Sequence, residues 1–141
     1  MHKERPWVMS LEQTRAVIGR LYELSQAGDW DAVAEQLTED FHIVEADGLP
    51  YGGVYRGRHA LRDLFAHVMG FWDEPSLELH DIVVSNDNAV GLVTMTAKSR
   101  HDGSRVVMEI AERFVLRDGK IAAIKPYYFD TALVRRAVGL D

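Results

Sequence analysis

Residues 76–128, SLELHDIVVSNDNAVGLVTMTAKSRHDGSRVVMEIAERFVLRDGKIAAIKPYY, decide the fold. Four runs rich in β-branched and aromatic residues, Ser76–Ser85, Ala89–Arg100, Arg105–Leu116 and Lys120–Tyr128, are divided by three short breaks. The breaks are Asn86-Asp87-Asn88, His101-Asp102-Gly103-Ser104 and Asp118-Gly119. Asn, Asp and Gly tolerate positive φ, so each break reads as a hairpin and the stretch as an antiparallel meander. Both faces of these strands carry apolar residues: Met108 and Ile110 share one side, Val107 and Ala111 the other. Such a sheet needs two covers.

One cover lies upstream. Ser10-Leu11-Glu12-Gln13 has the form of a capping box, and Leu11, Val17, Ile18, Leu21, Tyr22 and Leu24 follow at helical spacing up to Gly28. Asp29 caps a short second helix with Trp30, Val33, Ala34 and Leu37 on its buried side. From Phe41 the period changes to two, placing Phe41, Ile43 and Glu45 on one strand face and His42 and Val44 on the other. A loop from Asp47 to Tyr55 leads through Gly57 to a third helix, whose stripe is Leu61, Leu64, Phe65, Val68, Met69 and Trp72, with Pro75 at its end. Asp130 caps a final short helix through Val138. The fold class is therefore α+β: three helices, then a curved antiparallel sheet. Residues 1–9 read as an arm and 10–141 as one domain. The simplest second cover is another copy of the chain, which predicts a homodimer through the outer sheet face.

Composition narrows the function. The 141 residues are 47% hydrophobic and 27% charged, with net charge −6. The basic residues are scattered, which argues against a nucleic-acid partner. Cysteine is absent, so disulfides and thiolate chemistry are excluded. Neither a signal peptide nor a run long enough to span a bilayer is visible, which predicts a cytoplasmic protein without a membrane partner. The six histidines form no metal-ligand spacing, and no cofactor is expected. His67 reads as a core-edge histidine or as an acid in a dehydratase-like site.

The strings GDWDAVAEQLTEDFHIVEADG (28–48), YRGRHALRDLF (55–65) and RFVLRDGKIAAIKPYYFD (113–130) resemble the nuclear transport factor 2-like superfamily, and within it the ketosteroid isomerase and polyketide cyclase-like branch. The resemblance implies a cystatin-like α+β roll, in which a cone-shaped sheet wraps the helices and an apolar pocket opens at its wide end. It places Glu45 where the isomerase has its proton-shuttling aspartate, and Glu112 where it has the neutral aspartate that donates to the oxyanion. The isomerase's oxyanion tyrosine matches Leu21. Tyr22 is rotated from it by about 100° and is expected to turn away.

Glu45 and Glu112 are thus the candidate catalytic pair, Glu45 as base and Glu112 as donor. Both share strand faces with apolar residues, where an unpaired charge is costly. Glu112, lying mid-strand, is expected to be the more buried and Glu45 to ionise first. Other roles stay open: Glu112 pairing with Lys125 or Arg113, and Glu45 reaching water from a strand end. Phe41, Ile43, Met69, Met108, Ile110 and Phe114 are expected to line the cavity, with Tyr51, Tyr55, Trp72 and Tyr127 at its mouth. The reading is an isomerase, cyclase or dehydratase acting on a small hydrophobic carbonyl compound. The alternative is a binding or dimeric interaction domain of the same fold.

Overall fold

Ser10 opens the first helix through a reciprocal pair of hydrogen bonds. In the computed structural model, which describes residues 9–141, the Gln13 N–H donates to the Ser10 hydroxyl at 3.1 Å and the Ser10 N–H donates to the Gln13 side chain at 2.8 Å. The arm expected over residues 1–8 lies outside the described residues, and Met9 packs against the core. Helix α1 spans Leu11–Ala27 and stops at Gly28, whose φ of 71° suits glycine. Asp29 caps α2, Trp30–Glu35, by accepting from the Ala32 N–H.

Strand β1, Leu37–Glu45, follows at once. It is longer than the alternation from Phe41 suggests, and Leu37 already belongs to it. The stretch read as a loop contains a second strand, β2, Gly53–Arg56, which hairpins back on β1. Four residues are too few to show a period, but an edge backbone left unpaired needs partners. The turn closes on Gly52, where a Cβ would lie 2.5 Å from the Ala46 carbonyl oxygen.

Helix α3 is Ala60–Val68, shorter than its apolar stripe. Trp72 does not extend that helix. It begins β3, Trp72–Val84, and its side chain is fully buried. Pro75 is likewise inside the strand and not at a helix end. The register against the next strand shifts between Asp73 and Ser76, and Glu74 has φ 51°. That bulge, on an edge strand, is where a residue without an N–H is tolerated.

Strands β4 (Asn88–Ser99), β5 (Arg105–Arg117) and β6 (Lys120–Tyr128) complete the meander. Asp118 and Gly119, with φ of 53° and 79°, form the two-residue turn between the last two. Asp130 caps α4, Thr131–Ala137.

The strand order is β2-β1-β6-β5-β4-β3, an unclosed, curved sheet. All neighbours are antiparallel except β1 and β6, which run parallel with Ile43 beside Ile124. The purely antiparallel sheet expected from the sequence is corrected at that one seam. Helix α1 packs on β3 and β4, and α3 on β1 and β2. The core between them includes Ile18, Phe41, Trp72, Phe114 and Ile121. Among the described residues no helix is long and apolar enough to cross a membrane.

Gly52→Ala should destabilise the fold by about 2 kcal/mol or more, because the clash is with backbone that cannot swing aside. Urea unfolding measures this. An unchanged midpoint would show that the β1–β2 turn relaxes freely.

Candidate functional site

On β5, alternation turns Ile110, Glu112 and Phe114 inward. Across from Glu112, β4 presents Gly91 and β6 presents Pro126. The parallel β1–β6 register carries the same row on towards Glu45. Two strand spacings, about 10 Å, therefore separate the two glutamate backbones. Only Pro126, which is flat and short, stands between them.

Gly91 makes room for Tyr22. A Cβ there would fall 2.1 Å from the Tyr22 hydroxyl oxygen. With none in the way, Tyr22 reaches from α1 and donates to Glu112 Oε1 at 2.6 Å, its ring edge-on to Phe114. The expected turning away of Tyr22 is corrected. The buried face of α1 is wide enough to take both Leu21 and Tyr22, and both line the cavity.

Glu45 does not escape to water from its strand end. The β1–β2 hairpin continues past it, and it is 4% exposed, with Oε1 lacking any hydrogen-bond partner. Glu112 retains partial exposure and lines the cavity. The neighbours that could have neutralised Glu112 face the other side of the sheet. Arg113 donates to Asn88 Oδ1, and Lys125 lies over the Tyr127 ring. None of the ion pairs among the described residues involves Glu45 or Glu112.

These surroundings set the charges. Burial, and then the charge of Glu112, push the Glu45 carboxyl up to about 8. Burial also raises Glu112, but the Tyr22 hydrogen bond favours its ionised form and pulls the other way. Tyr22 is itself raised, by burial first and then by Glu112, so it stays a donor. Glu112 therefore ionises before Glu45, the reverse of the order expected from the sequence. Strand position suggested burial but could not show that a hydroxyl from α1 meets only one of the two carboxyls.

The cavity has a volume of about 530 Å³. Glu45, Glu112, Ile43, Met69, Ile110 and Phe114 stand in its wall. Phe41, Tyr51, Trp72 and Met108 do not, being packed in the core beyond it. Tyr55 is on β2, outside the wall. Its hydroxyl donates to the Tyr51 carbonyl and lies 3.2 Å from His67 Nδ1. His67 is exposed and outside the wall, since α3 buries Leu64 and Val68 instead. Tyr127 is half exposed on the outer face. Its neighbour Tyr128 takes the inward position and shares a 2.8 Å hydrogen bond with the Tyr51 hydroxyl. Tyr128 and Gly91 were missed in the sequence. Their signals were the inward parity of Ile124 and Pro126, and a glycine inside an otherwise apolar strand. Among the described residues no three His, Asp or Glu side chains converge as a metal set.

The Glu45 shift predicts a slope in stability. Its folded value, about 8, lies above its ordinary 4.5. The folded chain therefore holds a proton that the unfolded chain releases between those values. Stability should fall as pH rises from about 4.5 to 8 and level off above, with a total on the order of 5 kcal/mol. Urea unfolding across this range should show the slope, and Glu45→Gln should remove most of it. A slope unchanged in that variant would assign the titration to another group.

Residues 18–124 match the family model of the SnoaL-like domain. Against curated proteins the sequence has no match. Among solved structures it is similar to a nuclear transport factor 2-like protein of unknown function from Burkholderia pseudomallei, at 22% identity over 93% of this chain and 99% of that one, TM-score 0.80. A protein described as a SnoaL-like polyketide cyclase, from a Jannaschia species, aligns at 16% identity over 99% of both chains, TM-score 0.77. TerC, co-crystallised with polyporic acid, aligns at 19% identity over 89% of this chain and 98% of that one, TM-score 0.78. Such identities speak for the fold. With the family model spanning most of its length, the chain belongs to the SnoaL-like domain family, and its fold is nuclear transport factor 2-like.

Proposed function

We propose that the cavity carries out acid–base chemistry on a small hydrophobic carbonyl compound, as an isomerase, cyclase or dehydratase that needs only an acid and a base. The observation that carries this reading is the unequal treatment of two carboxyls in one apolar cavity. Glu112 accepts a hydrogen bond from Tyr22, while Glu45 keeps a bare buried oxygen. Between the two ionisations this arrangement offers one carboxylate and one carboxylic acid. Glu112 takes the proton from the carbon beside the carbonyl. Glu45 donates to the carbonyl oxygen, which stabilises the enolate. Returning the proton to another carbon gives isomerisation. Attack of the enolate carbon on a second carbonyl, protonated by Glu45, gives ring closure. Loss of a β-hydroxyl protonated by Glu45 gives dehydration, with water leaving. The family includes a neighbour described as a polyketide cyclase, in keeping with this class.

Deuterium uptake beside the carbonyl tests the reading without a known product. A panel of cyclic enones and β-dicarbonyl compounds in D₂O, followed by NMR, should show catalysed exchange. Glu112→Gln should cut the rate about 10²–10⁴-fold. Glu45→Gln should be milder, because an amide still donates. Exchange unaffected by Glu112→Gln would overturn the assignment. Binding of the panel without exchange would favour the ligand-binding alternative.

We propose, second, a homodimer through the outer sheet face. Val83, Leu92, Val107 and Tyr127 are all exposed on that face. Exposed apolar patches of this kind mark interaction sites. Ala111, paired with Leu92 and Tyr127, lies at the centre of the patch. Sedimentation should give a dimer at micromolar concentration, and Ala111→Arg a monomer. A dimer that survives the arginine would place the interface elsewhere.

A further inference from the structure

We infer that the cavity selects a ligand that carries a positive charge, an amine or quaternary ammonium group on a hydrophobic body, with the charge held by Glu112 and Glu45. This draws on the same two carboxyls as the proposed acid–base reading and goes beyond it: a bound cation ionises the acid Glu45, so the cation is a ligand of the cavity and not the substrate of that reaction.

The first ground is the charge inventory of the wall. Its ionisable carboxyls are Glu45 from β1 and Glu112 from β5. Its other polar side chains are Tyr22, Ser25 and Gln26 from α1, Ser76 from β3 and Tyr128 from β6. No lysine, arginine or histidine stands in the wall among the described residues. The two basic side chains nearest Glu112 in the sheet, Arg113 and Lys125, are engaged on the opposite face. The cavity is thus acidic with no counter-charge among these residues.

The second ground is the state of Glu45. A carboxyl 4% exposed, with an oxygen that has no partner, has acceptor capacity left unused in the free protein. A carboxylate in an apolar wall is costly until it is paired. A neutral ligand would expel water from around Glu112 and worsen that cost. An anion would add repulsion. A cation relieves the cost at Glu112 and favours ionisation at Glu45, so its binding releases a proton.

The third ground lies in the aromatic lining. Trp30 and Phe65 both stand in the cavity wall, with ring centroids 5.1 Å apart, and Phe65 is 44% exposed. Aromatic faces favour a cation, tryptophan most of all. The chain's net charge of −6 favours the approach of cations over anions as well.

Three probes of one shape separate charge from size: phenyltrimethylammonium, tert-butylbenzene and benzenesulfonate. Titrations of the intact protein, read on the Met69 and Met95 methyl signals, give the affinities. At pH 8.5 the cation should bind at least tenfold tighter than the neutral compound, and the sulfonate weaker than both. The cation's affinity should fall several-fold between pH 8.5 and 6, with proton release shown by calorimetry in buffers of different ionisation enthalpy. Glu112→Gln should cost the cation about tenfold and leave tert-butylbenzene within twofold, which also shows that the cavity is still folded. A neutral compound that binds as tightly as the cation at pH 8.5 would overturn the inference, as would a cation that fails to bind at millimolar concentration. Glu112-dependent exchange into neutral ketones, found alongside either result, would leave the acid–base reading standing and sink only the charge selection.

Discussion

The hydrogen bond from the Tyr22 hydroxyl to Glu112 is the interaction on which the site depends. It links α1 to β5 across the concave face, and it separates the behaviour of two carboxyls that would otherwise be alike. Its geometry has conditions at both ends. Tyr22 is aimed by a helix whose start is fixed by the Ser10–Gln13 box and whose end is fixed by Gly28. Its hydroxyl fits only because Gly91 has no side chain. A glycine inside a strand weakens the sheet locally. Here that weakness is the space in which the tyrosine stands.

Sheet order then decides which groups meet. A meander alone would leave Glu45, from the first strand of the chain, far from Glu112. The parallel seam between β1 and β6 brings β1 to within two strands of β5, with its inward residues in the same row. Pro126 lies between the two glutamates, and its small ring leaves headroom over the row. The cavity lies between this row and the inner faces of α1 and α3. Deeper in, Phe41, Trp72 and Met108 fill the equivalent volume, and there is core instead.

Much of this was legible in the sequence wherever a local rule sufficed. The capping box, the glycine stop, the hairpin turns and the inward parity of Glu45 and Glu112 all follow from spacing and residue type. What failed did so for want of partners distant in sequence. The stripe from Leu61 reaches Trp72 at i+11 by coincidence. The helix has ended by then, and Trp72 is held by pairing with Ser99 on β4. Strand β2 exists because β1 offers it an edge. Tyr127 and Tyr128 differ by one residue, and so by a face of the sheet. The order of ionisation turns on Tyr22, a residue ninety positions from Glu112 that reaches it only in the folded chain.

An acidic cavity is a poor way to build a stable core. Well-packed apolar side chains in place of buried ionic groups are commonly neutral or stabilising. Glu45 and Glu112 do not serve as structural ion pairs either, because the arginine and lysine beside them in the sheet face outward. Nor do they bond to each other's backbone or close a turn. Glu45 in particular keeps its burial cost with no hydrogen bond at Oε1 to offset it. Cost of this kind, concentrated at one cavity, fits a site whose remaining partner comes from outside the chain. A positive charge placed between Glu112 and Glu45 would offset the burial cost of both carboxyls at once, and neither Tyr22 nor Tyr128 can do that from within.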